Sequence, residues 1–346
     1  MHTPPAPASP RLPGLSQPKP GLSRRDALRT GVGVSIGLLA PAGLLSARPA
    51  LPRTPDPAKL RFLCMNLWVG GRKGLDTEEA SIARTLAVLR EADCEVLALQ
   101  EQSDLAETYA AELGMHCLVQ DRSTAILSRH EILETTPHRW GARLDAPGLG
   151  PLWVFNVHFP AAPYQPYQLA GIDYHDGRLI ATPAEAITEA RLARGEPALR
   201  CLRELRPALA TGAPVILAGD FNEPSHLDWT PEAAAAAVRT HAVDWPTTRL
   251  FSDAGLLDAF RTLWPDPLAR PGQTWTPRPE AREVHDRIDL VLASPALRPT
   301  EAQVLGETGP MSDVALDPWP SDHRAVRVIF DRAGPQHADQ PTSPAR

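Results

Sequence analysis

The sequence predicts an α/β domain, on three observations. Short apolar runs of strand length recur across residues 60–331. Stretches with apolar residues at helical spacing separate several of these runs. Most of the apolar runs end on, or contain, polar and charged residues where a purely structural strand would need none. Hydrophobic residues make up 43% of the 346, ample for the core of one large domain, and the motifs spread over the whole of 60–331 argue for one domain rather than two. No internal repeat is visible, and no apolar run of roughly 18 residues suggests a membrane-spanning helix.

Arg61 to Trp68 reads as a first buried strand that closes near Asn66. Asp76 with Glu79 resembles the capping box of a helix on which Ile82, Leu86 and Leu89 recur at helical spacing. That helix feeds a second strand, Val96 to Gln100, which ends at the carboxylate of Glu101. Residues 103–113 form a plausible second helix, followed by strands over 116–119 and 124–128, where the hydroxyls of Ser123, Thr124 and Ser128 need be no more than sheet-edge polar groups. Residues 152–157 lead into His158 and Pro160.

Residues 160–196 are long for a connection. They carry Tyr164, Tyr167, Tyr174, His175 and Arg178, then a helical stretch over 184–193 that continues from Pro197 through Leu199, Leu202, Leu205 and Leu209. Aromatic residues directly after the His158 strand suit substrate selection, and an extra packed flap is the alternative. Residues 215–218 form another strand, and residues 286–292 carry an acidic residue inside an apolar one. Ser321-Asp322-His323-Arg324 opens the last strand, 325–330, and the polar, Pro-containing residues 332–346 read as a disordered tail.

The most informative stretch is Leu217-Ala218-Gly219-Asp220-Phe221-Asn222-Glu223-Pro224. Strand side chains repeat every second residue, so Asp220 and Asn222 can face the same way at a sheet edge. An anionic acceptor beside an uncharged amide suits holding a water next to a phosphoryl oxygen. Gly-Asp and Asn-Glu-Pro are also ordinary turn chemistry.

Taken in order, Asn66, Gln100-Glu101, His158, Gly219-Asp220-Phe221-Asn222, Arg287-Ile288-Asp289 and Ser321-Asp322-His323 resemble the motifs of the endonuclease/exonuclease/phosphatase superfamily. These are metal-dependent phosphoesterases with the pancreatic deoxyribonuclease fold, and the resemblance spans residues 60–331. It implies a four-layered α/β sandwich, two packed mixed β-sheets with helices on the outer faces and the site at one end. It also implies roles. Glu101 and Asn66 would hold Mg²⁺ (Mn²⁺ or Ca²⁺ could support it), a cation that takes few protein carboxylates and keeps several waters. Asp322 would bind a second metal or act from behind the site. Asp220 would orient or deprotonate the water, and Asn222 and Asn66 would hold the substrate. His323 would pair with Asp289 and act either as general base or as a protonated group on the phosphoryl oxygen. His158 would contact the phosphate or assist the leaving group. The residues after Asn66 offer no carboxylate before Asp76, which puts a second metal site from that loop in doubt. Gly70-Gly71 reads equally as a phosphate approach or a plain turn, Trp275 resembles a family aromatic near the site although core packing is the role expected of it, and His226, His285 and Arg287 are adjacent to motifs without an assigned part.

Ahead of the domain, Ser23-Arg24-Arg25-Asp26-Ala27-Leu28-Arg29 precedes an apolar, Gly-rich stretch over 32–45, the form of a twin-arginine export signal with Ala47 as a guess for its last residue. Export to the periplasm or outside the cell is expected, with an uncleaved membrane anchor as the competing reading and residues 48–59 as a linker. Residues 1–47 carry Arg11, Lys19, Arg24, Arg25 and Arg29 against Asp26, so their removal takes the formal charge from −6 to −10. An acidic body gives no general steering toward polyanions, which disfavours nucleic acid as the main partner. A secreted nuclease and a phospholipid head-group phosphodiesterase stay as alternatives within the same chemistry. A noncatalytic binding protein would be expected to lose Glu101, Asp220 or His323. Apart from the phosphoester substrate and the export machinery, the chain is expected to act as a monomer. Cys64, Cys94, Cys117 and Cys201 show no zinc spacing. Buried free thiols are expected, with one Cys64–Cys94 bridge as the alternative.

Overall fold

The computed structural model describes residues 59–332, apart from 176 and 279–281. The expected export segment, residues 48–58 of the linker and the tail from 333 lie outside the described residues. The first four strands are β1 (Lys59–Asn66), β2 (Val96–Gln100), β3 (His116–Val119) and β4 (Thr124–Ser128). The chain then crosses to a second sheet through β5 (Ile132–Thr135), β6 (Gly141–Ala146), β7 (Gly150–His158), β8 (Val215–Asp220), β9 (Leu257–Asp258) and β10 (Asp289–Ala293). It returns to the first sheet with β11 (Leu297–Gly306), β12 (Val314–Ala315) and β13 (Ala325–Arg332). The seven-stranded sheet runs β12-β11-β13-β1-β2-β4-β3 and the six-stranded sheet β5-β6-β7-β8-β10-β9.

Strands β2, β4, β8 and β10 are buried along their whole length, as near-continuous apolar runs require when both faces of a sheet are covered. The inner faces meet in one core, with Phe62, Cys64, Val96, Ala98 and Ile126 packed against Leu144, Leu152, Val154, Ile216 and Val291. The outer face of the first sheet, including Leu63, Met65, Leu97 and Leu99, is covered by residues such as Val88, Leu89 and Tyr109. The outer face of the second, including Phe155, Val157, Leu217 and Leu290, is covered by Ala198, Cys201, Leu202 and Leu205. Helix, sheet, sheet and helix therefore stack as the four-layered sandwich.

Two parallel pairs position the site, each joined by a helical crossover. Helix Glu78–Ala92 joins β1 to β2 and places Asn66 opposite Gln100. Helix Pro183–Ala210 joins β7 to β8 and places His158 opposite Asp220. Antiparallel pairing of β8 with β10 then sets Asp289 opposite Asp220. The two registers of the second sheet thus bring His158, Asp220 and Asp289 to one row, with Asn66 facing them from the first sheet.

Several boundaries differ from the sequence expectations. The first helix is capped by Thr77, whose Oγ1 accepts from Ala80 N at 3.2 Å, rather than by Asp76. The helix expected over 103–113 starts only at Ala106, because Ser103 and Asp104 have φ of 45° and 65°, outside the helical region. Residues 183–210 form one continuous helix through Pro197 and Pro207, started by a capping box between Thr182 and Glu185. The strand expected over 286–292 begins at Asp289, since Asp286 pairs with Trp275 and Arg287 turns into an ion network. All four cysteines are free. Cys64 lies in the core between the sheets and Cys94 in the layer beneath the first helix, so the two thiols belong to opposite faces of the first sheet and no Cys64–Cys94 bridge forms.

Candidate active site

Asn66, fully buried at the end of β1, ties the two sheets together. Its Nδ2 donates to Asp220 Oδ2 at 3.0 Å and to Glu101 Oε1 at 3.3 Å. Its Oδ1 accepts from Trp68 N at 3.0 Å, and its carbonyl accepts from Ser321 Oγ at 2.7 Å. Glu101 follows β2 in a left-handed conformation, φ 51°, and its Oε2 accepts from Val69 N at 2.8 Å. Trp68, Val69, Gly70 and Gly71 all have positive φ. The two glycines are buried, and a Cβ on Gly71 would lie 2.3 Å from Thr85 Oγ1. Of the two readings of Gly70-Gly71, the structure supports a packed turn that presents Val69 N to Glu101.

Asp220 is the hub. Its Oδ1 accepts from Asn222 N at 2.8 Å, closing the turn at φ 47° on Asn222. Its Oδ2 lies 3.6 Å from His158 Nε2 and 3.8 Å from His323 Nε2. Each histidine is oriented through its other nitrogen: His158 Nδ1 is 2.6 Å from Ser123 Oγ, and His323 Nδ1 is 2.9 Å from Asp289 Oδ2. Asp289 is positioned in turn by Thr274, whose Oγ1 accepts from the Asp289 and Ile288 amides at 3.1 Å. Asn222 Nδ2 donates to Phe159 O at 3.0 Å, which leaves its second amide hydrogen for a ligand.

The electrostatics follow from burial among carboxylates. Burial works against a charge on His323, yet the carboxylates of Asp289 and Asp220 outweigh it and push the imidazole up to about 10. Burial also pushes Asp289 up, with the His323 charge holding it back. Asp322 is raised to about 6 by burial, which His323 partly offsets and the charge of Glu101 reinforces. Among the described residues its Oδ1 is buried without a hydrogen-bond partner, as is Asp289 Oδ1.

These groups open onto a cleft of about 240 Å³ that includes Glu101, His158, Asp220, Asn222, Asp322 and His323 in its lining. The long segment after β7 supplies its aromatic wall. Tyr164 and Tyr167 meet edge to face at 4.8 Å, as do Tyr167 and Tyr174 at 5.3 Å. Tyr164 OH donates to buried Asp286, and fully buried Arg194 anchors the segment through Gln165 and the carbonyls of Ala161 and Pro163. Trp275, expected as core packing, instead lines the cleft, with its ring centroid 4.8 Å from that of His323 and its Nε1 donating to Tyr167 OH.

All of the residues singled out in the sequence for the site, Asn66, Glu101, His158, Asp220, Asn222, Asp289, Asp322 and His323, thus fall in one neighbourhood. Ser123 and Thr274 belong to it as well. Nothing but a hydroxyl before a strand marked the first, and only its proximity to Trp275 could have marked the second. His226 and His285 stay outside the cleft, with Nδ1 of His226 on Thr248 and that of His285 facing Thr276 N. Arg287 is buried in a network with Asp228, Asp258 and Arg261.

Donor chemistry fits a divalent cation in two places. The ligand atoms of Asp220, Asp289 and His323 lie within 4.8 Å of one another, but a cation there would compete with the Asp289–His323 hydrogen bond. Glu101 and Asp322 face one cleft, repel each other and leave one buried carboxylate oxygen without a partner. Oxygen donors of this kind suit Mg²⁺.

The model of the Endonuclease/Exonuclease/phosphatase family matches residues 64–323. The chain belongs to that family. Members of the Endonuclease/Exonuclease/phosphatase family are divalent-metal-dependent phosphoester hydrolases. A curated relative, the uncharacterized protein F14F9.5 of Caenorhabditis elegans, is 25% identical over 296 residues, covering 77% of this chain and 90% of the relative. Among solved structures, an endonuclease/exonuclease/phosphatase from Beutenbergia cavernae superposes with a TM-score of 0.50 at 17% identity, over 80% of this chain and 72% of that one. An AP endonuclease from Archaeoglobus fulgidus superposes with a TM-score of 0.50 at 17% identity, over 79% of this chain and 99% of that one. At such identities the two structures share the fold of this family member.

Proposed function

We propose that this chain is a metal-dependent phosphoesterase that hydrolyses a phosphodiester or phosphomonoester by attack of water. The observation that carries the reading is the convergence of His158 Nε2, His323 Nε2 and Asn66 Nδ2 on one oxygen of Asp220. A carboxylate oxygen ringed by three fixed nitrogens suits a site where a water must be aimed and a phosphoryl oxygen stabilised at once. Asp220 orients the water and accepts its proton. His323, held as an imidazolium by Asp289 and Asp220, donates to the phosphoryl oxygen, which favours the protonated-group role over the general-base role. His158, fixed by Ser123, faces the leaving oxygen, and the free amide hydrogen of Asn222 holds a further phosphoryl oxygen. Mg²⁺ held by Glu101, Asp322 and the Asn66 side would neutralise phosphoryl charge, with Mn²⁺ or Ca²⁺ as substitutes.

The reading includes export, on the twin-arginine form of residues 1–47, to the periplasm or outside the cell. The test is hydrolysis of nucleic acid, nucleotides, phospholipids and simple phosphoesters by the protein with Mg²⁺ and with chelator, alongside Glu101→Ala and His323→Ala. Metal-dependent turnover reduced by roughly 10²–10⁴-fold in His323→Ala is expected. No turnover of any class by folded, metal-supplied protein would refute the reading.

A further inference from the structure

A second cavity, of about 610 Å³, shares His158 with the catalytic cleft. Arg139, Arg200 and Arg203 line it, together with Trp140. The wall is built firmly. Gln120 Nε2 donates to the carbonyls of Arg139, Trp140 and Asn156 at 2.9, 3.0 and 2.9 Å. Arg139 is held at φ 59°, a conformation that non-glycine residues seldom adopt, by this clamp and by its own amide on Thr136 O.

The carboxylates of the cavity are more fully engaged than its guanidinium groups. Asp121 is engaged by the amides of Ser123 and Thr124 and by Thr124 Oγ1. Glu204 takes both the amide and the ring of His138. Among the described residues, Arg200 and Arg203 pair only with Glu196, itself 60% exposed, and an exposed pair of this kind is worth little and is readily redirected. The Arg139 side chain, among the described residues, donates only to a carbonyl, that of Val119, at 3.4 Å. Three guanidinium groups are therefore available on a chain whose formal net charge is −6. Guanidinium forks match phosphate oxygens in pairs, which favours phosphate over a single carboxylate as the occupant.

We infer that this cavity is a subsite for a second phosphate group, carried on the alcohol that leaves from the scissile ester. The inference rests on the phosphoesterase reading for its orientation, since His158 is the residue that faces both the leaving oxygen and the subsite. It assigns Arg139, Arg200 and Arg203 to specificity, with Trp140 as an apolar surface for the body of the leaving group. A phosphorylated alcohol is selected over a plain one even though the protein as a whole repels anions.

The test compares binding of a nucleoside 3′,5′-bisphosphate and of the corresponding 5′-monophosphate by calorimetry, in chelator so that turnover plays no part. The wild-type protein and the triple variant Arg139→Gln/Arg200→Gln/Arg203→Gln are compared, with thermal melting to show that the variant is folded. The wild type should bind the bisphosphate roughly 10-fold or more tightly than the monophosphate, and the triple variant should lose that preference. Equal affinities in the wild type, or a preference that survives in the variant, would overturn the subsite. Hydrolysis of bis(p-nitrophenyl) phosphate, which has no second phosphate, is run on both proteins with Mg²⁺ and should be unchanged by the substitutions. If neither protein hydrolyses any phosphoester while the bisphosphate preference holds, the anion site stands and the catalytic reading falls.

Discussion

Gln100 Nε2 donates to Asn156 Oδ1 at 2.6 Å, a polar bridge from β2 to β7 through the apolar space between the sheets. Asn156 also donates to Leu99 O, to Ala125 O and to Gln120 Oε1. One buried amide on the second sheet therefore satisfies three acceptors on the side of the first. Asn156→Leu would strand them, and buried groups left without partners carry their full desolvation cost. The expected result is a loss of about 3 kcal/mol in urea unfolding, with no new cleft geometry. A loss under about 1 kcal/mol would show that the bridge is dispensable.

Arg287 stands two residues before Asp289 in the chain yet serves the scaffold. Its guanidinium reaches Asp258 at 2.7 Å and Asp228 at 3.0 Å, all three side chains buried. Arg287→Met leaves Asp258 without a cation and Asp228 with Arg261 alone. The expected cost is about 3–5 kcal/mol, read from the urea midpoint. Turnover per folded molecule should stay within a few-fold of wild type, and a large fall in it would place Arg287 in the chemistry.

The raised His323 gives the stability a pH signature. A histidine whose folded pKa, about 10, exceeds its ordinary 6.5 contributes stability that is fully present below pH 6.5 and is lost as pH rises through 10. Wild type minus His323→Gln stability should therefore shrink over that window, as measured by denaturation at stepped pH. Turnover should fall on the same alkaline limb as the imidazolium is lost. A flat difference curve would mean that the Asp289–His323 pair is not charged in the folded state.

Asp322 should govern metal affinity on the acid side. Cation binding requires its carboxylate, which burial keeps protonated up to about pH 6. Mg²⁺ or Mn²⁺ binding by calorimetry should weaken as pH falls through 6 and should drop by roughly 10–100-fold in Asp322→Asn. Affinity unchanged in that variant would move the cation to Asp220, Asp289 and His323.

The cluster at the sheet ends was legible because its residues interrupt apolar strands, where a carboxylate or imidazole has no packing reason to be. Asn66, Glu101, His158, Asp220 and Asp289 each stand at such an interruption. Their partners were not legible. Ser123 meets His158 only because the two sheets pack together, and Thr274 reaches the start of β10 from a segment outside the strands; a lone hydroxyl in a sequence carries no mark of the residue it will face. Trp275 looked like core because a tryptophan's apolar area dominates its reading, whereas the structure uses its ring beside His323. The boundaries that moved did so for local reasons: left-handed Ser103 and Asp104 delay one helix, and Arg287 leaves its strand to satisfy two buried aspartates. The subsite arginines were invisible as a group, because Arg139 and the pair on the long helix meet only once the connection between β5 and β6 lies against that helix.

The last strand of the domain is not at an edge. β13 inserts between β11 and β1, beside the very first strand, and the turn that leads into it carries Ser321, Asp322 and His323. A growing chain can shape most of both sheets while residues past 320 are still being made, yet it lacks the histidine and the aspartate that this end of the molecule supplies. A chain cut short before β13 would consequently lack both of these groups however much of it had folded.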